Sequence, residues 1–205
     1  MTLKETYNRI AEEWHRDHQS DDWWVEGTDR FVALFPSGAR VLDAGCGGGT
    51  KSKYLAEKGL RVVGMDFSEK LVEIAKREVP EASFLVCDLG EVDELQDQFD
   101  GIFMQAVLLH IPKKDAATII KKVVTRLNDG GYLYIAVKEI RSGQAEEETK
   151  TENSYGYPYE RFFSYFTQDE VVDYVREADL EIVHTEVKLT GNTNWIQVIG
   201  RKASN

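Results

Sequence analysis

Cysteine is scarce. The 205 residues hold two, Cys46 and Cys87, both inside apolar stretches where reduced, buried thiols are expected, and too few for a disulfide framework. A reducing, cytoplasmic setting is expected. Only four prolines occur, with no repeat and no low-complexity tract, which excludes collagen-like and disordered classes. No apolar run reaches the ~18 residues that a membrane helix needs. The N-terminal MTLKETYNRIAEEWHRDH lacks the apolar core of an export signal, so neither a membrane nor a secretory route is expected. Basic residues are in deficit: 25 Lys and Arg against 36 Asp and Glu give a net charge of -11, the wrong sign for a binder of phosphate backbones, and no nucleic-acid partner is expected.

What remains is a globular composition, 42% hydrophobic and 30% charged, at a length that predicts one domain over residues 1–205. Residues 1–36 read as a cap of two helices, because Tyr7, Ile10, Ala11 and Trp14 recur at helical spacing and Phe31, Val32, Leu34 and Phe35 follow a polar break. From Arg40 the chain alternates: strands at 41–44, 61–66, 82–87, 99–105 and 132–138, and helices at 50–58, 68–78, around 91–96, and 114–127. Such alternation predicts a parallel sheet with crossover helices. Asn128-Asp129-Gly130-Gly131 is expected to stop the last of these helices. Residues 139–153 (EIRSGQAEEETKTEN) carry charge and almost no apolar side chains, so a mobile surface loop is expected there. An aromatic insertion around Arg161 follows and completes the 139–166 segment, then a helix capped by Thr167, and a hairpin formed by 180–189 and 194–202.

Val41-Leu42-Asp43-Ala44-Gly45-Cys46-Gly47-Gly48-Gly49-Thr50 sets glycines at alternate positions where a strand turns into a helix. Lacking Cβ atoms, they let a ligand lie against backbone amides at the helix start. Asp66, 23 residues after Asp43, ends the second strand, where a carboxylate can accept from both hydroxyls of a ribose. The dinucleotide pattern Gly-x-Gly-x-x-Gly would need a glycine at Thr50, and no P-loop Gly-Lys-Ser/Thr is present. A nicotinamide-dependent oxidoreductase is therefore disfavoured.

The Asp-x-Gly-x-Gly-x-Gly spacing, with VVGMDFS, FLVCDL and FDGIFMQAVLLHI after it, resembles the class I S-adenosylmethionine-dependent methyltransferases. The resemblance implies an α/β, Rossmann-like three-layer sandwich. Its seven-stranded, mostly parallel sheet has an antiparallel last strand, and an N-terminal helical lid covers it. It implies S-adenosyl-L-methionine as cofactor and S-adenosyl-L-homocysteine as product. It further implies that Asp43 approaches the methionine amine, that Gly45, Gly47 and Gly49 floor the cofactor, that Asp66 binds the ribose, and that Phe67 covers the adenine. Asp88 and Leu89 would read the adenine edge, the alternative for Asp88 being a helix cap. Gln105 and Ala106 would touch the methionine amine, and Tyr7 and Trp14 would close the lid over the methionine end, unless they only pack their helix.

Methyl transfer from a sulfonium needs alignment and exclusion of water, with no metal and no triad. A base serves only a protonated acceptor. His110 is the candidate, its alternative being a polar end to an apolar strand. Tyr157, Tyr159 and Arg161 offer an aromatic wall and a cation for an anionic acceptor, or else pack a subdomain. Glu12, His15 and His18 share a charged helix face, and no metal is assigned to them. Trp23 and Trp24 are open between the lid's underside and a dimer contact. The Asn/Asp-Pro-Pro-Tyr/Phe motif of enzymes that methylate amide or base nitrogens is replaced by Gln105-Ala106-Val107-Leu108. A small-molecule acceptor is expected, from a monomer or homodimer, the alternatives being a protein methyltransferase or a non-catalytic cofactor-binding module.

Overall fold

The computed structural model describes residues 1–204. Two helices open it, α1 (Leu3–His18) and α2 (Val25–Val32). The Thr2 hydroxyl accepts from the Glu5 amide while the Glu5 carboxylate accepts from the Thr2 amide, a reciprocal box that satisfies two donors of the first turn of α1. The chain then runs β1 (Arg40–Ala44), α3 (Thr50–Glu57), β2 (Arg61–Asp66), α4 (Glu69–Glu78), β3 (Ser83–Val86), β4 (Phe99–Gln105), α5 (Lys113–Val124) and β5 (Leu127–Lys138). Next come β6 (Glu147–Glu152), β7 (Tyr159–Ser164), α6 (Gln168–Glu177), β8 (Leu180–Thr190) and β9 (Thr193–Lys202).

Seven strands form one sheet in the order β3-β2-β1-β4-β5-β9-β8, parallel from β3 to β5, with β9 antiparallel to both of its neighbours. This is the expected α/β sandwich. On one face α5 and α6 pack over Ile102, Met104, Leu133 and Ile135. On the other, Phe31 of α2 and Leu55 of α3 meet Val41, Phe103 and Tyr134. Covering both faces is why β1 and β4 read as continuous apolar runs. No helix among the described residues is long and apolar enough to cross a membrane.

Two sequence expectations are corrected. Residues 147–152, expected within a mobile loop, form β6, paired antiparallel with β7 in a separate two-stranded sheet. Strand formation depends on what a neighbour supplies. Here β7 brings the apolar partners, and the charges of β6 are met across the ladder, Glu152 by Arg161 and Glu148 by the Tyr165 hydroxyl. The helix expected to reach Leu127 ends at Val124, and Asn128–Gly131 lies within β5. The β4–β5 register shifts between Phe99 and Gly101, and Asn128 Nδ2 donates to Asp100 there, so this polar stretch sits at a ladder irregularity.

The N-terminal cap is fastened to the sheet chiefly by Phe31, which is fully buried against Phe35, Phe103 and Tyr134. A side chain on Gly101 of β4 would fall within 2.8 Å of Phe31 and 2.5 Å of Phe35, so the bare backbone there is what lets both rings reach the sheet. Phe31→Ala is expected to cost ~3–5 kcal/mol in urea unfolding; a loss below ~1 kcal/mol would show that α2 docks by other contacts.

Candidate active site

The sheet order turns at β1: the chain leaves β1 towards β2 and β3 and returns to β4 on the other side. Connections that part in this way open a crevice at the carboxyl ends of the strands. A cavity of about 340 Å³ lies there, bounded by the glycine loop after β1, Asp66 at the end of β2, Gln105 at the end of β4 and Lys138 at the end of β5. Helix α1 contributes Tyr7 and Trp14 to its wall.

Gly45 and Gly47 line this cavity with positive φ of 79° and 54°, backbone that favours glycine. A Cβ on Gly47 would stand 3.3 Å from the Trp14 ring. Gly49, expected in the same floor, is not among the lining residues. It is the left-handed N-cap of α3 and packs on Ala75 and Val79. Asp66 is buried and accepts from the Gly47 amide (3.0 Å) and the Ser68 amide (2.9 Å). Each carboxylate oxygen keeps a lone pair for a further donor. Burial pushes Asp66 up to about 6, against the pull of those amides. Asp43 lies behind the loop, outside the lining, and takes the Ser52 hydroxyl at 2.6 Å; burial likewise raises it to about 6.

Phe67, Gln105 and Ala106 line the cavity as expected from the strand ends. Ala106 has φ of 58°, a left-handed conformation that non-glycine residues rarely adopt and that functional sites tend to hold. The indole nitrogen of Trp14 and the amide nitrogen of Gln105 are buried with no hydrogen-bond partner among the described residues. Both nitrogens are shut off from the open cavity, and Gln105 Oε1 accepts from the buried Tyr134 hydroxyl at 3.1 Å. Asp88 and Leu89 lie outside the wall. Asp88 is exposed and caps the short 3-10 helix Leu89–Glu94 through the Gly90 amide at 2.7 Å.

At the opposite end, His110 Nδ1 is 2.7 Å from the Phe162 carbonyl, which can only accept, so Nδ1 carries the proton. Its Nε2 then accepts from the Tyr7 hydroxyl at 2.9 Å. Burial lowers His110 to about 3, helped by the charges of Arg161 and Lys138, so the ring is neutral. Arg161 lines the cavity but is engaged: Nε and Nη2 hold the Glu152 carboxylate at 2.5 and 2.7 Å, and Nη1 reaches the Tyr7 oxygen at 3.4 Å. Tyr157 and Tyr159 do not reach the cavity. Tyr159 stacks on Tyr155, Tyr157 lies under the Arg9 guanidinium, and both pack β7 against α1.

Several wall residues gave no sequence signal. Lys138 and Trp195 come from strand ends with no motif around them, while Lys51 follows the glycine loop and Phe163 lies in the aromatic insertion around Arg161 with nothing to single either out. Trp23, left open above, lines the cavity and stacks on Trp195 at 4.1 Å, whereas Trp24 is buried with its ring edge-on to Tyr54. His15, on the face considered for a metal, packs over Gly48.

Known proteins share this arrangement. A family model described as a methyltransferase domain matches residues 15–185. A ubiquinone biosynthesis O-methyltransferase of Xanthomonas axonopodis pv. citri (strain 306) is 34% identical over 108 residues, 50% of this chain and 44% of that protein. The chain spans about half the length of the curated relatives it matches. Among solved structures, the 1,6-didemethyltoxoflavin-N1-methyltransferase of Burkholderia thailandensis, crystallised with S-adenosylhomocysteine, superposes with a TM-score of 0.76 at 21% identity, covering 98% of this chain and 88% of that one. The [4+2]-cyclase SpnF superposes at 0.75 with 16% identity, covering 99% and 96%, so at this distance the likeness speaks for the fold alone. The match over residues 15–185 decides the family: this chain belongs to the methyltransferase domain family, of the class I S-adenosylmethionine-dependent kind.

Proposed function

We propose that this protein transfers a methyl group from S-adenosylmethionine to an oxygen, nitrogen or sulfur atom of a small-molecule acceptor by in-line displacement, working in the reducing cytoplasm with Cys46 and Cys87 as free thiols. The observation that carries the reading is one cavity with a buried carboxylate and a glycine loop at one end and an aromatic, cation-bearing chamber at the other.

The donor set fits the cofactor. Asp66 would accept from ribose hydroxyls, and Phe67 would cover a ring. When bound, the cofactor supplies a methyl group on a positively charged sulfur, already activated. The residues of the chain then align and enclose: Tyr7 and Trp14 of α1 close the methionine end and keep water out. Held neutral with a pKa near 3, His110 is a poor store for a proton. Its part is to position the Tyr7 hydroxyl, and the site suits an acceptor that arrives ionised.

Three measurements test this. Asp66→Ala is expected to weaken S-adenosylhomocysteine binding by ~1–3 kcal/mol, as two hydroxyls lose a charged acceptor. In the wild type, ribose donors favour ionised Asp66 and pull its pKa down from about 6, so binding at pH 5.5 releases protons. Calorimetry in buffers of different ionisation enthalpy reads that release, and Asp66→Asn removes it; a buffer-independent enthalpy in the wild type takes Asp66 out of the site. For the reaction, methyl-labelled cofactor incubated with cell extract is expected to label the small-molecule fraction. Label confined to protein would mean a protein acceptor, and cofactor binding with no label anywhere would mean a binding module.

A further inference from the structure

We propose that the acceptor is a flat aromatic acid whose carboxylate pairs with Lys138, the ring lying in the chamber formed by Trp195, Trp23 and Phe163. This deepens the function proposed above and rests on it for the reaction, though not for the binding.

Lys138 is the last residue of β5, facing Trp195 of β9 in register. Its ammonium stands 4.5 Å from the Phe163 ring centroid and 5.9 Å from that of Trp195. Among the described residues it has no carboxylate within ion-pairing distance, while other shielded cations do: Arg161 holds Glu152, and Lys113 holds Glu146 and Glu170. Lys51, which also lines the cavity without a paired acid, differs in its surroundings, since Asp43 and Asp21 both favour its charge. Around Lys138 the charges are mostly of its own sign. Arg161, Lys150 and Arg141 oppose its protonation and only Glu152 favours it, and with burial these bring it down to about 8. A charge kept there without a partner is a cost to the free protein that a bound anion removes.

The number of charges to be met selects the anion. Arg161 is committed to Glu152 and Tyr7, which leaves one uncompensated cation at this end of the cavity. One cation matches a carboxylate; a phosphate dianion would call for more donors. The shape selects the rest of the ligand. Trp23 and Trp195 stack on each other, and this pair and Phe163 of β7 make the walls of the chamber aromatic. Aromatic walls favour a flat aromatic ligand, which meets them offset or edge-on. The placement is also local, because a chain of net charge -11 repels anions at long range and must concentrate positive charge to hold one.

The test compares each of benzoate, 2-naphthoate and indole-3-carboxylate with its primary amide, by calorimetry at pH 7 on the full chain saturated with S-adenosylhomocysteine. At least one acid is expected to bind ten-fold or more tightly than its amide. Lys138→Met is expected to bring that ratio to about one, Lys138→Arg to keep most of it, and both variants to bind S-adenosylhomocysteine as the wild type does, which reports that they are folded. Equal binding of acid and amide in every pair, or a preference that survives in Lys138→Met, overturns the proposal. Should the wild type not bind S-adenosylhomocysteine, the methyl-donor reading fails, and the acid-to-amide ratio measured without it decides this proposal on the same two outcomes.

Discussion

Holding a carboxylate away from water at the end of β2 is the constraint on which the rest of the site depends. Asp66 is acceptable there only because backbone amides face it, and the Gly47 amide faces it only because the loop after β1 adopts left-handed turns at Gly45 and Gly47. The second amide belongs to Ser68, which also caps α4 by accepting from Leu71. The Ser68 hydroxyl in turn donates to Asn8 Oδ1 at 2.7 Å, and Asn8 is on α1. A chain of four hydrogen-bonded groups thus ties the buried acid, the glycine loop, the start of α4 and the N-terminal helix into one unit. The lid is registered to the same carboxylate that it covers.

That arrangement is not neutral for stability. A carboxyl whose folded pKa lies near 6, above its unfolded value, binds more protons in the folded state between about pH 4 and pH 6, so folding loses free energy as pH rises through that window. At neutral pH the penalty is on the order of 3 kcal/mol at Asp66. The amides facing it offset only part of that penalty. A ligand that brings hydroxyl donors relieves more of it, so the group makes physical sense as part of a binding surface as well as a tie for the loop. The left-handed backbone of Ala106 is a second strained feature of the same wall.

The parts of the fold readable from sequence are those governed by local rules. The apolar runs 41–44 and 99–105, the cap at Thr167, and the turn before β9 all declare themselves through residue type and spacing. What stayed hidden depends on partners far along the chain. Glu147–Glu152 carries no apolar pattern and becomes a strand because Tyr159–Ser164 lies beside it. Gly49 looks like its neighbours in the loop, yet a contact with Ala75, 26 positions away, decides that it packs rather than lines the cavity. Tyr157 and Tyr159 carry aromatic rings of the expected kind but face α1, while Phe163 of the same aromatic insertion and Trp195 of the expected hairpin line the site.

The charge layout of the cavity explains why the two ends can do different work within one opening. At the β1–β2 end the wall carries the Asp66 carboxylate, which suits hydroxyl donors, and the Lys51 ammonium at the start of α3, whose charge Asp43 and Asp21 favour. At the β5–β7 end they are Lys138 and an Arg161 already matched by Glu152, which suit an anion. Between them lie only neutral hydrogen-bonding groups, since burial holds both the Tyr7 phenol and the His110 imidazole uncharged. For an acceptor of the proposed kind, the attraction between its negative charge and the sulfonium would act across that neutral gap, and the part left to the protein would be to hold the two in alignment.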